Sequence, residues 1–131
     1  MTGTSPIPVI DLGGLLLISV RGELEDDEAV VLQTDVTDAV ARTGSRGLII
    51  DISALDVVDS FLARVLAEVA LASRLLAART VLVGMRPAVA ITLVELGLAL
   101  EGMTTARTVV DAAAGFGVTL TAADAAEQGS P

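Results

Sequence analysis

Apolar residues follow two rhythms along this chain. Short unbroken runs bounded by glycine or charge alternate with longer stretches in which apolar side chains recur every three or four positions, the patterns of buried strands and amphipathic helices. Leu15 to Val20 (LLLISV) lies between Gly13-Gly14 and Gly22 and reads as a strand, with Val9 to Leu12 as a short hairpin partner across the glycine turn. Glu25, Asp26, Asp27 and Glu28 gather where a helix should begin, because negative charge is favoured at the positive end of the helix dipole. Ala29, Leu32, Val36, Ala39 and Val40 continue at helical spacing as far as Thr43-Gly44, where glycine accommodates the left-handed turn that ends a helix.

Leu48 to Ile52 (LIIDI) is apolar throughout except for one acid, which fits a central strand covered on both faces, as in a parallel sheet. An irregular stretch, Ser53 to Val58, precedes Asp59-Ser60 and a long helix predicted over Phe61 to Ala78. Leu62, Val65, Leu66, Val69 and Leu76 lie along one side of it, and Arg79 marks its end. Val81 to Gly84 is the next strand. Pro87 opens a third helix running to about Leu96, since its missing N–H has no helical partner at that position, and Gly97 caps it. A weak strand at Thr105 to Thr108 and a closing helix over Val109 to Phe116 complete the pattern. Strands alternating with helices predict an α/β domain, and short links favour right-handed crossovers. There is no internal repeat and no linker, so residues 1–120 read as one domain and 121–131, small and polar, as a flexible tail.

Composition narrows what such a domain can do. The 131 residues are 53% hydrophobic but only 2% aromatic, so Leu, Val, Ile and Ala must fill the core. Mean hydropathy is +0.74, yet the longest run without Asp, Glu, Lys or Arg is Ala112 to Ala123, 12 residues interrupted by Gly115 and Gly117. A membrane span needs about 18 or more. Met1 to Pro8 has neither the basic start nor the apolar segment of a signal peptide, and the expected location is the cytoplasm. A net charge of −9, with eight arginines and no lysine, argues against nucleic acid as a partner. Charged residues total 19%, which leaves apolar surface for an assembly partner. With neither Cys nor His, disulfides, thiolate or imidazole metal sites and Ser-His or Cys-His nucleophiles are all excluded, and no metal or cofactor is expected.

Carboxylate, hydroxyl and arginine chemistry remains. Ser60 follows Asp59 at the start of the second helix, directly after the loop that leaves the central strand. A phosphate there would meet free backbone N–H groups and the positive end of the dipole. Asp59 or Ser60 acting simply as a helix cap accounts for the same residues, and spacing alone does not separate the two readings. Thr92, inside the third helix, is a weaker hydroxyl candidate. Glu23 to Glu28 lacks the alternating ligands of a calcium loop and reads as a solvated helix start. Asp51 and Asp56 lack a lysine that would neutralise a phosphoryl group, but as a pair they define an enzymatic alternative, a magnesium-dependent phosphatase or hydrolase.

IDISALDVVDSF (Ile50 to Phe61) resembles the strand-loop-serine signature of STAS domains, the fold of anti-sigma-factor antagonists. IPVIDLGGLLLISVRGELEDDEAV (Ile7 to Val30) and GMRPAVAITLVELGLAL (Gly84 to Leu100) are similar to the single-domain stressosome scaffolds of the RsbS type, and the likeness extends over about Ile7 to Leu120. Simple antagonists follow the phosphorylated serine with Ser-Gly-Leu, whereas Phe61-Leu62-Ala63 stands here, which favours the stressosome branch.

The resemblance implies a mixed sheet with helices packed mainly on one face and a non-enzymatic protein that forms homo- and hetero-oligomers with RsbR-type STAS sensor proteins. It implies sequestration of an RsbT-type serine kinase, phosphorylation of Ser60 with release of the kinase, and resetting by an RsbX-type phosphatase. Val58, Asp59, Ser60 and Phe61 would form the kinase-docking segment. Thr92 matches a position phosphorylated in the sensor paralogues and is carried as a minor site. A stand-alone antagonist that binds an anti-sigma kinase is the alternative within signalling.

Overall fold

The structure is a computed structural model that describes residues 8–21, 24–97 and 103–120. The expected tail, residues 121–131, and Glu23 of the acidic cluster lie outside the described residues.

The chain opens with the hairpin of β1 (Ile10–Asp11) and β2 (Leu15–Ser19). Gly13 and Gly14 turn it with φ of 80° and 91°, and the Asp11 carboxylate accepts from Gly13 N–H at 2.8 Å. Helix α1 (Asp26–Thr43) follows. Glu25 and Glu28 close a capping box at its start, with Glu25 N–H donating to Glu28 Oε1 at 3.1 Å, and Gly44 ends it at φ 64°. Strand β3 (Gly47–Asp51), helix α2 (Ser60–Leu75), strand β4 (Arg79–Val83), helix α3 (Pro87–Glu95), strand β5 (Met103–Ala106) and helix α4 (Val109–Ala114) come next in order.

The five strands lie in the order β1-β2-β3-β4-β5, with the first pair antiparallel and the others parallel. β3 is therefore central, and Leu48, Ile49 and Ile50 are all fully buried because both faces of the sheet are covered. The period-2 alternation divides the strands between two cores. Leu16, Ile18, Leu48, Ile50 and Leu82 face α1, α2 and α3, which contribute Leu32, Val36, Leu62, Val69, Val89 and Leu93. Leu15, Leu17, Ile49, Val81 and Val83 face the other way, onto Ala112 and Ala113 of α4 and the partly buried Phe116. The result is a mixed five-stranded sheet with three of the four described helices on one face, the arrangement that the resemblance implies.

Several element ends differ from the sequence reading. Helix α2 stops at Leu75 instead of Ala78, because Ala77 takes φ 68° and the N–H groups of Ala77 and Ala78 turn back to the carbonyls of Arg74 and Ser73. Leu76, expected on the buried side, is consequently 41% exposed. Arg79 does not mark the helix end but opens β4, paired in register with Gly47. The last strand sits earlier than Thr105 to Thr108, because Thr80 pairs with Met103, and α4 ends at Ala114, two residues short of Phe116.

Candidate functional site

Three backbone events build the segment between β3 and α2. Beyond the end of β3, Ile52 N–H donates to Val83 of β4 at 2.9 Å, which extends the pairing by one residue. The chain then turns, with Ser53 N–H donating to the Asp51 carboxylate at 2.9 Å and Leu55 N–H to the Ile52 carbonyl at 3.0 Å. Leu55 and Val58, each 1% exposed, plug the turn into the core. The apolar spacing of this irregular stretch thus anchors it without making it a strand or a helix.

Gly84, just beyond β4, lies against the same turn. Its φ is 75°, and a Cβ there would stand 2.7 Å from Ser53 Cβ, so only glycine lets the two loops approach this closely. Arg86, the N-cap residue of α3, reaches back across the loop. Its Nε donates to the Ser53 carbonyl at 2.9 Å and its Nη1 to Asp56 Oδ1 at 2.5 Å.

At the far end of the segment Asp59 is the N-cap of α2. Its carboxylate accepts from Leu62 N–H at 2.8 Å, and its carbonyl accepts from Ala63 N–H at 3.0 Å. Capping falls to Asp59, and Ser60 is the first helical residue, exposed, with its hydroxyl free of hydrogen bonds to the described residues. The Ser60 and Phe61 N–H groups belong to the first turn, where the helix supplies no acceptor.

Around this helix start the side chains differ in what they offer. Val58 is buried and packs into the core beneath the segment, whereas its neighbour Val57 is 77% exposed and Phe61 36%. Val57 escaped the sequence reading because Val57 and Val58 are chemically alike, and only the tertiary fold decides which of the pair turns inward. An open hollow of about 580 Å³ adjoins, lined by Leu24, Ala54, Leu55, Asp56, Val57, Asp59 and Leu62.

Thr92 is placed differently. It lies in the second turn of α3, half-buried, and its hydroxyl donates to the Ala88 carbonyl at 3.0 Å. Among the described residues Asp51 and Asp56 line different hollows. Asp51 caps the turn after β3 and lines a recess with Arg107 and Thr108, while Asp56 pairs with Arg86 and borders the hollow beside α2. Among the described residues no cluster of three or more acidic side chains is arranged to hold a metal ion, and no helix is long and apolar enough to cross a membrane.

The STAS domain pattern matches residues 7–112. The chain belongs to the STAS-domain family. Among curated proteins it is 29% identical over 102 residues to the RsbT co-antagonist protein RsbRA of Bacillus subtilis (strain 168), an alignment covering 78% of this chain but 36% of that protein, so this STAS chain spans about a third of its relative's length. Among solved structures it is similar to a serine-to-glutamate variant of RsbS from Moorella thermoacetica, with 37% identity and a TM-score of 0.73 over 82% of this chain and 91% of that one. A chain of the stressosome, described as a signal integration and transduction hub, matches with 38% identity and a TM-score of 0.71 over 79% and 90% of the two chains. The STAS chain is thus similar to that RsbS variant and to that stressosome chain over about nine-tenths of the length of each solved chain.

Proposed function

We propose that this protein is a non-enzymatic stressosome scaffold that sequesters an RsbT-type serine kinase and releases it when Ser60 is phosphorylated. The observation that carries the reading is the division of labour at the start of α2. Asp59 caps the helix, which leaves the Ser60 hydroxyl exposed on a rigid support. The likeness to RsbS and to a stressosome chain supports the assembly part, with RsbR-type STAS proteins as co-assembling partners and an RsbX-type phosphatase as the resetting enzyme. The kinase itself is supported by the name of the relative RsbRA, an RsbT co-antagonist.

The kinase docks on the surface around Val57, Asp59, Ser60 and Phe61, with Val58 holding that surface in place. Phosphorylation adds about −1.5 to −2 charges at neutral pH, next to Asp59 and on the segment that carries Asp56. Burying an uncompensated charge in an interface costs on the order of 2–5 kcal/mol, equivalent to a loss of affinity of roughly 30-fold to several thousand-fold. Release needs no unfolding. Thr92 remains a minor second site in this proposal, and phosphate there would have to displace the hydroxyl from the Ala88 carbonyl.

The test is incubation with an RsbT-type kinase and ATP, followed by mass spectrometry of the tryptic peptide Gly47 to Arg64 and measurement of kinase affinity before and after. Phosphate on Ser60, a large drop in affinity, and retention of the kinase by Ser60→Ala are expected. Phosphate elsewhere in the peptide, or a complex unaffected by phosphorylation, would sink the proposal. Failure to co-assemble with an RsbR-type protein, together with binding to an anti-sigma kinase, would favour the stand-alone antagonist. Magnesium-dependent turnover abolished by Asp51→Asn would instead make the protein an enzyme.

A further inference from the structure

The segment from Ser53 to Asp59 carries no helix or strand of its own, yet it must hold Ser60 in one place. Its backbone supplies little for this. Ser53 and Leu55 donate hydrogen bonds within the turn, while among the described residues the stretch from Asp56 to Val58 is fastened through side chains. From the core side, Leu55 and Val58 hold it. From the solvent side, among the described residues, Arg86 spans it. Arg86 donates through Nε to the Ser53 carbonyl and through Nη1 to the Asp56 carboxylate, so a single planar guanidinium ties the beginning of the segment to its middle.

We propose that Arg86 is the positioning residue for Ser60: its two-pronged bond to Ser53 and Asp56 locks the loop that delivers Ser60 to a partner. The functional half rests on the reading of Ser60 given above, and the structural half rests on these contacts alone. Three features fit this role. The fork geometry of guanidinium permits two directed bonds at once, which a lysine ammonium on a flexible stem does not reproduce. The residue is itself fixed at both sides, as the N-cap of α3 followed by Pro87 and preceded by the Gly84 turn that abuts Ser53. The ion pair is substantially exposed, with 54% of the Arg86 side chain and 75% of the Asp56 side chain accessible, so its contribution to global stability is small and its effect is local.

The contact also joins two parts of the fold that the sequence separates by 30 residues. α3 and the loop entering α2 are linked through Arg86, and a disturbance at the start of α3 reaches the Ser60 segment by this route.

The experiment compares wild type, Arg86→Ala, Arg86→Lys and Asp56→Ala as full-length chains. Amide hydrogen exchange is the first readout. Arg86→Ala is expected to speed exchange of the Ser53 and Leu55 amides by about tenfold, the scale of one charge-assisted hydrogen bond lost from a partly exposed site. Arg86→Lys and Asp56→Ala should give intermediate values, while amides of β3 and of the middle of α2 keep their protection. Equal exchange in wild type and Arg86→Ala overturns the clamp, and so does a uniform rise across the domain, which would make Arg86 a general stability residue.

Phosphorylation kinetics are the second readout. The KM of the kinase for Arg86→Ala should rise several-fold with kcat little changed, because a mobile segment docks less often but reacts normally once docked, and Arg86→Lys should recover part of the loss. Unchanged KM beside accelerated loop exchange would overturn the functional half. Should wild type itself accept no phosphate on Ser60, the proposed function fails, and hydrogen exchange still decides the structural clamp.

Discussion

Single residues in this fold carry backbone tasks that their chemistry suits well in one case and poorly in another. Gly47, the first residue of β3, lies beneath the Phe116 ring, and a Cβ there would stand 2.5 to 2.8 Å from three ring atoms. The ring is held by Arg79, 5.1 Å from its centroid, and the Phe116 carbonyl accepts from Arg46 at 2.9 Å. Gly47→Ala should therefore push the ring off the sheet and cost about 1–3 kcal/mol. Urea denaturation measures this, and in a Phe116→Ala background most of the penalty should vanish. Ala77 is the opposite case. At φ 68° it occupies the C′ position of α2 that glycine usually fills, and a left-handed alanine is strained by about 1–2 kcal/mol. Glycine loses more chain entropy on folding, which offsets part of that gain. Ala77→Gly should still stabilise by about 0.5–1 kcal/mol and raise Tm by a few degrees. An unchanged or lower Tm would mean that the strain is absent.

Whole elements were legible in the sequence where neighbours along the chain determine them. The five apolar positions of α1, Ala29, Leu32, Val36, Ala39 and Val40, are the five that the fold buries in that helix, because helical period and burial coincide on an amphipathic surface helix. Ends set by distant partners were not legible. Arg79 enters β4 only because Gly47 pairs beside it, and the exposed Leu76 follows from a turn geometry that an alanine gives no sign of. The site divides in the same way. Asp59-Ser60 at a helix start was readable from the order of residues, whereas the Arg86 clamp on Asp56 spans two elements and leaves no local pattern. Helix α2 itself allows a direct test. Its first turn holds no acidic residue, so the positive end of its dipole has only the Asp59 cap as a counter-charge. Ser60→Asp should stabilise the domain by about 0.3–1 kcal/mol at low ionic strength, and the gain should fade as salt is added. Ser60→Asn, similar in shape and uncharged, should not reproduce it. A destabilised Ser60→Asp would show that charge at this position disturbs the helix and would count against the proposed release without unfolding.

On the scale of the whole molecule, net charge and exposed apolar surface oppose each other. Each chain carries −9, so copies brought together repel, yet Ile91 and Val94 on α3 are 60% and 78% exposed and Leu71 and Leu75 on α2 are 58% and 79% exposed. Apolar contact favours association irrespective of sign, and it changes little as salt rises from about 10 to 150 mM, whereas the Debye length shortens from about 30 to 8 Å over that range. Self-association should therefore strengthen with moderate salt, because screening removes the repulsion and leaves the apolar attraction. Sedimentation velocity at a fixed protein concentration follows this as an increase in the weight-average sedimentation coefficient. Polar substitution of the α3 pair, Ile91→Ser with Val94→Ser, should suppress the increase without altering the urea midpoint greatly, since neither side chain belongs to the core. Association that weakens with salt would instead mean that complementary charges hold the copies together, and the acidic balance of the chain would then have to be distributed unevenly between the contacting faces.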